Sequence, residues 1–144
     1  MKLEEIQQLW SNDSRIDRTE LGNEAIKIPQ LHSKYFKIYS EERLLLKKME
    51  LDSKQLYKDL WDYFLGNLDY EDLEERGWKQ NPLKILKQDI NIYIDSNNDW
   101  INNNLKVSYQ KEKVDFLEAI IKSLNNRGFN IKAAVDWEKF KVGI

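Results

Sequence analysis

Residues 29–65 decide the fold of this chain, and they read PQLHSKYFKIYSEERLLLKKMELDSKQLYKDLWDYFL. Apolar side chains recur in this stretch at three- and four-residue steps, the period of one face of an α-helix. They are Leu31, Tyr35, Ile38, Leu45, Met49, Leu56, Leu60 and Tyr63. After Pro29 the stretch contains neither glycine nor proline, and Gly66-Asn67 follows it. The pattern therefore predicts one long helical rod that ends at Gly66.

The residues before the rod predict two further helical segments. A short amphipathic helix over Leu3–Trp10 is expected to end at Ser11-Asn12-Asp13-Ser14. A second helix should start near Asp17 or Thr19, and Pro29 should kink or restart it.

After the rod comes a segment rich in acidic residues, followed by one rich in β-branched residues. Residues 69–75 form an acidic segment that is followed by breaks at Gly77 and at Asn81-Pro82. Residues 84–95 alternate apolar and polar side chains from Ile90 to Ile94, which predicts a short β-strand or hairpin.

The last third of the chain is predicted to be helical. The residues from Asn97 to Asp99 can cap a helix that runs from Trp100 to Asn125. Arg127-Gly128 should end that helix, with residues 129–131 as a connector and residues 133–140 as a short final helix. We therefore expect a mainly α fold with one short strand or hairpin.

One compact chain without independent domains is expected, in three functional parts. Residues 1–66 are expected to form an N-terminal helical part, to which the cations and rings described below assign DNA binding, and residues 67–99 an acidic connector with the short strand. Residues 100–144 form the C-terminal oligomerisation helices. A chain of 144 residues is long enough to bury a core without metals or disulfides.

Composition excludes several classes of protein. The chain has no cysteine, which removes disulfides, zinc–thiolate sites and cysteine nucleophiles. No apolar run reaches the roughly 20 residues of a membrane span, and the start lacks the apolar core of a signal peptide, so an intracellular protein is expected.

Charge is unevenly distributed along the chain, although the formal net charge is only −2. Residues 31–60 contain seven basic and five acidic residues, whereas residues 61–99 contain four basic and nine acidic ones. The basic stretch could follow a phosphate backbone, and the acidic stretch could meet a basic protein partner. Both could equally be ordinary solvated helix surface.

The rod places cations and aromatic rings on one side. At about 100° per residue, four cations fall within roughly a 60° arc opposite the apolar stripe. These are Arg43, Lys47, Lys54 and Lys58, and the rings of Phe36, Tyr57 and Trp61 lie in or beside the same arc, next to Tyr39. Cations can neutralise phosphates and exposed rings can stack on bases, so the surface predicts sequence-tolerant binding of single-stranded nucleic acid. The rings could instead pack on a neighbouring helix or subunit.

The residue inventory argues against catalysis. His32 is the only histidine and is most simply structural. The glycines form neither a nucleotide phosphate loop nor a dinucleotide-binding turn, and the acidic segment lacks the spacing of a calcium loop. We expect no enzymatic activity, no catalytic residues, no metal and no cofactor.

Three blocks of the sequence resemble the UvsY family of phage recombination mediators. The first is Leu3-Glu4-Glu5-Ile6-Gln7 with Ile16-Asp17, Leu21, Glu24-Ala25 and Ser33-Lys34-Tyr35. The second is Lys58 with Leu60-Trp61-Asp62-Tyr63-Phe64 and Gly66, similar to the family's basic pair followed by Leu-Asp-Tyr-Tyr-x-Gly. The third is Asp115-Phe116-Leu117-Glu118, then Ser123-Leu124, then Arg127-Gly128-Phe129-Asn130-Ile131-Lys132. Leu60 stands where the family's second basic residue falls, which leaves Lys58 as the matching cation.

The resemblance implies a mediator that binds single-stranded DNA and helps a RecA-like phage recombinase replace a single-strand binding protein. It also implies DNA repair and replication roles in the cytoplasm of an infected bacterial host, and a ring-like homo-oligomer. We expect the C-terminal part to assemble the ring, because its apolar residues exceed what one small domain can hide. These residues are Phe116, Ile120, Ile121 and Leu124, together with Phe129. The alternative is a structural coiled-coil or virion assembly protein that does not bind DNA.

Overall fold

A computed structural model describes residues 1–80 and 85–144. Its elements are α1 (Leu3–Asp13), α2 (Leu21–Leu65), α3 (Tyr70–Arg76), a 3₁₀ turn (Lys87–Asp89), α4 (Ile90–Asp95) and α5 (Asn98–Lys141). The two long helices, α2 and α5, have 45 and 44 residues. The expected mainly α fold is confirmed, and none of the helices in the described ranges is long and apolar enough to cross a membrane.

The rod is longer at its start than the sequence predicts. Asp17 Oδ1 accepts hydrogen bonds from the backbone N–H and the hydroxyl of Thr19 at 2.9 and 2.6 Å, so these residues form the turn before α2. Helix α2 begins at Leu21 and continues past Pro29, so of the two predicted effects of Pro29 the restart is wrong, while the kink stays a prediction. A proline inside a helix costs about 3 kcal/mol. The packing of Leu31 and Tyr35, which lie just after it, offsets that cost.

The predicted end of the rod is confirmed. Gly66 has φ +78°, and its N–H donates to the carbonyl of Tyr63 while the N–H of Asn67 donates to the carbonyl of Asp62. A left-handed residue at this position closes the last turn of a helix and satisfies its free carbonyls. The acidic segment forms helix α3, which stops at Gly77, and the predicted break at Asn81-Pro82 lies outside the described residues.

The predicted strand or hairpin over residues 84–95 is wrong for residues 85–95, and residue 84 lies outside the described residues. Residues 87–95 form the 3₁₀ turn and helix α4, and no strand occurs in residues 1–80 or 85–144. In a strand, Ile90, Ile92 and Ile94 would all face the same side. Instead Ile90 and Ile94 are fully buried one helical turn apart, while Ile92 is 68% exposed. Packing of that i, i+4 pair therefore decides for a helix over the β-propensity of the segment.

The C-terminal helix is one element and not two. The prediction of a cap is confirmed, because Asn97 Oδ1 accepts a hydrogen bond from the N–H of Trp100 at 3.1 Å. The predicted stop at Arg127-Gly128, the connector at 129–131 and the separate helix at 133–140 are wrong, since α5 runs on to Lys141. Arg127 and Ile131 are both buried one turn apart, on either side of Gly128, so tertiary packing holds the helix through the glycine.

The chain divides into two compact units, the first of which contains both ends of the chain. Unit 1 comprises Met1–Leu44 and Lys111–Ile144. Its core consists of Ile6, Tyr35, Leu117, Ile120 and Leu124. Unit 1 also buries two ion pairs, Arg127 with Glu24 at 3.3 Å and Lys113 with Glu42 at 3.4 Å.

Unit 2 comprises Leu45–Gln110. Its core consists of Leu56, Leu60, Phe64, Ile90 and Ile94, with a rim of half-buried aromatic rings that includes Tyr57, Trp61, Tyr63, Trp78 and Trp100. Within this unit Asn103 donates to the hydroxyl of Ser53 at 2.7 Å, which ties α5 to α2. Leu45, assigned to the apolar stripe from its spacing, is exposed in this unit.

Candidate nucleic-acid interface

In unit 2, helix α2 presents three lysines to solvent. Lys47, Lys54 and Lys58 are all exposed, and their spacing of seven and four residues keeps them on one side of the helix. Among the described residues, neither Lys47 nor Lys54 has a carboxylate within ion-pair distance. Two of the three ammonium groups are therefore available to an anion without loss of an existing partner.

Lys58 differs from the other two because acidic side chains surround it. Its Nζ lies 3.6 Å from Asp62 Oδ2, although the lysine side chain is 72% exposed. It also lines a groove of about 580 Å³ together with Asp59, Asp72, Glu75 and Arg76. An exposed pair one turn apart stabilises a helix by only about 0.3–0.5 kcal/mol, so a phosphate can displace Asp62. The nearby carboxylates reduce the positive potential at Lys58.

The acidic side of this groove is built by α3. Arg76 donates from Nε and Nη2 to Asp59 Oδ2 at 2.9 and 2.6 Å, which joins α3 to α2. The charge of Asp69 raises the pKa of Asp72, and desolvation adds to this rise. The groove therefore collects negative charge, and within it the guanidinium of Arg76 is already paired.

The two predicted rings of unit 2 are part of its packing. The hydroxyl of Tyr57 donates to Asn91 Oδ1 at 2.8 Å, and its ring meets that of Trp100 edge-on at 5.4 Å. Trp61 is half-buried and lies 6.4 Å from Tyr57, between ring centroids. These contacts match the packing alternative for Tyr57, and only the outer part of Trp61 faces solvent.

The remaining predicted residues of this set lie in unit 1. Phe36 is 46% exposed and stacks on His32, with ring centroids 5.8 Å apart and an interplanar angle of 12°. Arg43 is exposed, and its guanidinium carbon lies 5.2 Å from the centre of the Tyr39 ring. The sequence predicts a structural role for His32. The four-residue spacing of His32 and Phe36 was the signal that would have placed the two rings together.

The predicted oligomerisation residues divide into buried and exposed ones. Ile120 and Leu124 are almost completely buried in the core of unit 1, where Phe116 also packs, so their side chains have little surface left for a neighbour. Ile121 is half-buried, whereas Phe129 is 75% exposed. Further along α5 the stacked rings of Trp137 and Phe140 are also exposed, a pair that the predicted set omits.

Within the described ranges, no group of three or more histidine, aspartate or glutamate residues is arranged to hold a metal ion. The exposed features described for the two units are cations, aromatic rings and an acidic groove. Such groups recognise charged polymers and ring systems through many weak contacts.

Comparison with known proteins agrees with this chemistry. Residues 9–144 match the family described as "Recombination, repair and ssDNA binding protein UvsY". The recombination protein uvsY of Enterobacteria phage T4 is 24% identical over 143 residues, which cover 99% of each chain.

Solved structures show the same fold. A crystal structure of the bacteriophage T4 recombination mediator protein UvsY, in lattice type II, superposes with a TM-score of 0.84 and 24% identity. It covers 99% of this chain and 98% of that one. The type IV lattice gives a TM-score of 0.83 at the same identity, with 97% and 99% of the two chains covered.

Proposed function

Because this chain belongs to the UvsY family of recombination, repair and single-stranded DNA-binding proteins, we propose that it acts as a recombination mediator. In this role it binds single-stranded DNA and helps a RecA-like phage recombinase replace a single-strand binding protein. The work takes place in the cytoplasm of an infected bacterial cell. Differential binding can drive it, without a catalytic group.

The observation that carries the proposal is the set of exposed lysines on α2 in unit 2. Lys47, Lys54 and Lys58 face solvent on one side of a helix, where a flexible strand can bring phosphates to them. Each phosphate neutralised on a single strand releases counterions and adds roughly 0.7 to the slope of log affinity against log salt. The surface therefore favours binding that weakens steeply with salt and depends little on base sequence.

The mediator step requires the protein to favour one DNA complex over another. A ligand shifts an equilibrium only by the difference in its affinity for the two states. Exposed, separately weak contacts suit this requirement, because the strand can be released to the recombinase one contact at a time. The acidic groove beside Lys58 further limits how tightly the strand is held there.

Self-association would strengthen the modest affinity of each protomer. The exposed rings of Phe129, Trp137 and Phe140 on α5 offer apolar surface for neighbouring copies. A homo-oligomeric ring would repeat the lysines around one assembly and convert weak contacts into avidity.

One experiment tests DNA binding directly. The anisotropy of a fluorescently labelled single-stranded oligonucleotide is measured against protein concentration over a salt series. The proposal expects log affinity to fall linearly with log salt. If the oligomeric protein leaves the anisotropy unchanged at low salt, the proposal fails, and a structural assembly protein becomes the better interpretation.

The mediator step needs a second assay. A recombinase and a single-strand binding protein compete for the same oligonucleotide, and the occupancy of the recombinase is followed with and without this protein. The proposal expects the protein to raise that occupancy. Equal occupancy of the recombinase with and without this protein would show that the protein does not mediate the exchange, even if it binds DNA.

A further inference from the structure

Unit 1 contains a row of rings on α2 that the lysine surface does not use. His32, Phe36 and Tyr39 follow one another along the helix, and Arg43 completes the row. The His32 and Phe36 rings stack nearly in parallel, and the centroids of Phe36 and Tyr39 lie 6.1 Å apart. The Arg43 guanidinium carbon sits 5.2 Å from the centre of the Tyr39 ring, within cation–π distance. On this face of the helix, three aromatic rings and one cation thus follow one another at helical spacing, each in contact with the next.

The core of unit 1 fixes the Tyr39 ring of this row, whereas the Phe36 ring is exposed to solvent. Tyr39 is half-buried and packs against the core of unit 1, which limits how far it can move. Phe36 is 46% exposed, so a large part of its ring is accessible to a ligand. The row is therefore anchored at one ring and accessible at the next.

On helix α2 itself, the residues around Phe36 suit a ligand that is aromatic and negatively charged. At about 100° per residue, no acidic residue of α2 between Leu21 and Leu44, all of it described, falls within about 60° of Phe36. The residues beside the rings on that face are small, Ser33 and Ser40 among them. The exposed aliphatic side chains Ile26 and Leu44, which a partner helix would use, lie outside this arc.

We propose that His32, Phe36, Tyr39 and Arg43 form a stacking platform for unpaired bases of a single-stranded nucleic acid. The exposed part of the Phe36 ring receives a base, His32 extends the stack, and Arg43 meets the adjoining phosphate. The inference rests on the proposed DNA-binding function but concerns base contacts in unit 1, separate from the phosphate contacts of the lysines in unit 2. Stacking tolerates any base, because every base has a π-face.

The test compares two probes of equal length, a labelled oligothymidylate and a labelled abasic oligonucleotide that keeps the phosphates without bases. Phe36→Ala should weaken oligothymidylate binding roughly five- to 150-fold, the equivalent of one stacked base. It should leave abasic binding and the salt slope unchanged. Phe36→Tyr keeps a ring and should retain most of the affinity. Ile26→Ala, which removes an exposed apolar side chain elsewhere on the same helix, should change nothing.

Circular dichroism and sedimentation are the controls that test whether each variant keeps its helicity and assembly mass. The platform is refuted if Phe36→Ala binds oligothymidylate as tightly as the unaltered chain does, or loses affinity equally for both probes. A change of assembly mass in Phe36→Ala would also overturn it, since the rings would then belong to a contact between copies. If the unaltered chain binds neither probe, the proposed function itself fails, an outcome distinct from loss of the platform alone.

Discussion

The phenolic oxygen of Tyr35 lies 2.7 Å from Oδ2 of Asp13, and the hydroxyl donates to the carboxylate. Lys34 Nζ reaches the same oxygen at 2.7 Å. Tyr35 is completely buried, and Asp13 is the last residue of α1. The hydrogen bond therefore connects the end of α1 to α2 within unit 1. Burial raises the pKa of Tyr35, and the hydrogen bond to Asp13 raises it further, so Tyr35 stays a donor.

The Asp13 carboxylate makes the stability of the protein depend on acidity. Burial raises the pKa of Asp13, but the hydrogen bonds from Lys34 and Tyr35 and the charges of Lys34 and Arg127 together hold it below its ordinary value. A carboxylate whose pKa is depressed by folding adds stability above its unfolded pKa of about 3.9 and loses it as pH falls through the folded pKa. Asp13→Asn should therefore lower the free energy of unfolding at pH 7, and the difference from the unaltered chain should shrink toward pH 3. Urea unfolding at the two pH values measures this, and a constant difference would contradict it.

Arg127 should be one of the most destabilising positions to truncate. Its guanidinium donates to the carbonyls of Asp13 and Arg15 and to the Glu24 carboxylate, at 2.7, 2.9 and 3.3 Å. Arg127→Ala removes the buried cation of Glu24 and the donor to two carbonyls, and it leaves Glu24 only the exposed Lys27, whose Nζ lies 3.2 Å away. Breaking a buried ion pair typically costs about 3–5 kcal/mol, and the remaining Lys27 should place the loss toward the lower end of that range. Urea unfolding measures the loss. Arg15→Ala, at an exposed side chain, serves as the control and should stay within about 0.5 kcal/mol.

Removing two lysines of unit 2 should alter the salt dependence of DNA binding. Lys54→Ala with Lys58→Ala removes two phosphate contacts, so the slope of log affinity against log salt should become shallower by roughly 1.4. The matched control is Lys48→Ala with Lys106→Ala, which changes the net charge by the same amount. Both control lysines are exposed in unit 2 but lie off the side of α2 that carries Lys54 and Lys58. Anisotropy titrations at several salt concentrations decide between them. Equal slopes in the two double variants would show that only net charge matters.

The exposed rings at the end of α5 should control assembly, whereas the buried apolar residues of α5 should control folding. Phe129→Ser with Trp137→Ser should lower the assembly mass and leave the helicity unchanged, because full burial of each ring contributes roughly 1.5–3 kcal/mol. Sedimentation velocity and circular dichroism measure the two quantities. Ile120→Asn should instead unfold unit 1, since that side chain is 2% exposed. If the variant with Phe129→Ser and Trp137→Ser keeps its assembly mass, the assembly contacts lie elsewhere.

Two glycines should respond to the same substitution with opposite signs. Beyond its chain neighbours and the backbone of its own helix, a methyl group at Gly128 would meet no atom of the described residues within 4 Å, and φ there is not left-handed. Gly128→Ala should therefore stabilise the fold by about 0.4–1 kcal/mol. At Gly66, φ is +78°, and Gly66→Ala should cost about 1–2 kcal/mol. Thermal unfolding of both variants gives the comparison. Stabilisation at both sites would contradict the helix-end role of Gly66.

Local patterns in the sequence were sufficient for several elements. The 3.6-residue period of Leu31 to Leu60 predicted the rod, Gly66 predicted its end and Asn97 predicted the start of α5. Each of these signals acts within one or two helical turns, through spacing, a left-handed residue or a capping side chain. The ordered blocks from Leu3 to Lys132 also identified the family, because a family signature resides in the order of residues along the chain.

Only the tertiary structure decided which partners these residues meet. The segment with Ile90 and Ile94 is helical because both side chains pack in the core of unit 2. Helix α5 continues through Gly128 because Arg127 and Ile131, on either side of it, are buried. The same principle separates buried Ile120 from exposed Phe129, and Tyr57, bound to Asn91, from open Phe36. Periodicity states which side chains share a face, but burial depends on distant segments, so it cannot be obtained from local spacing.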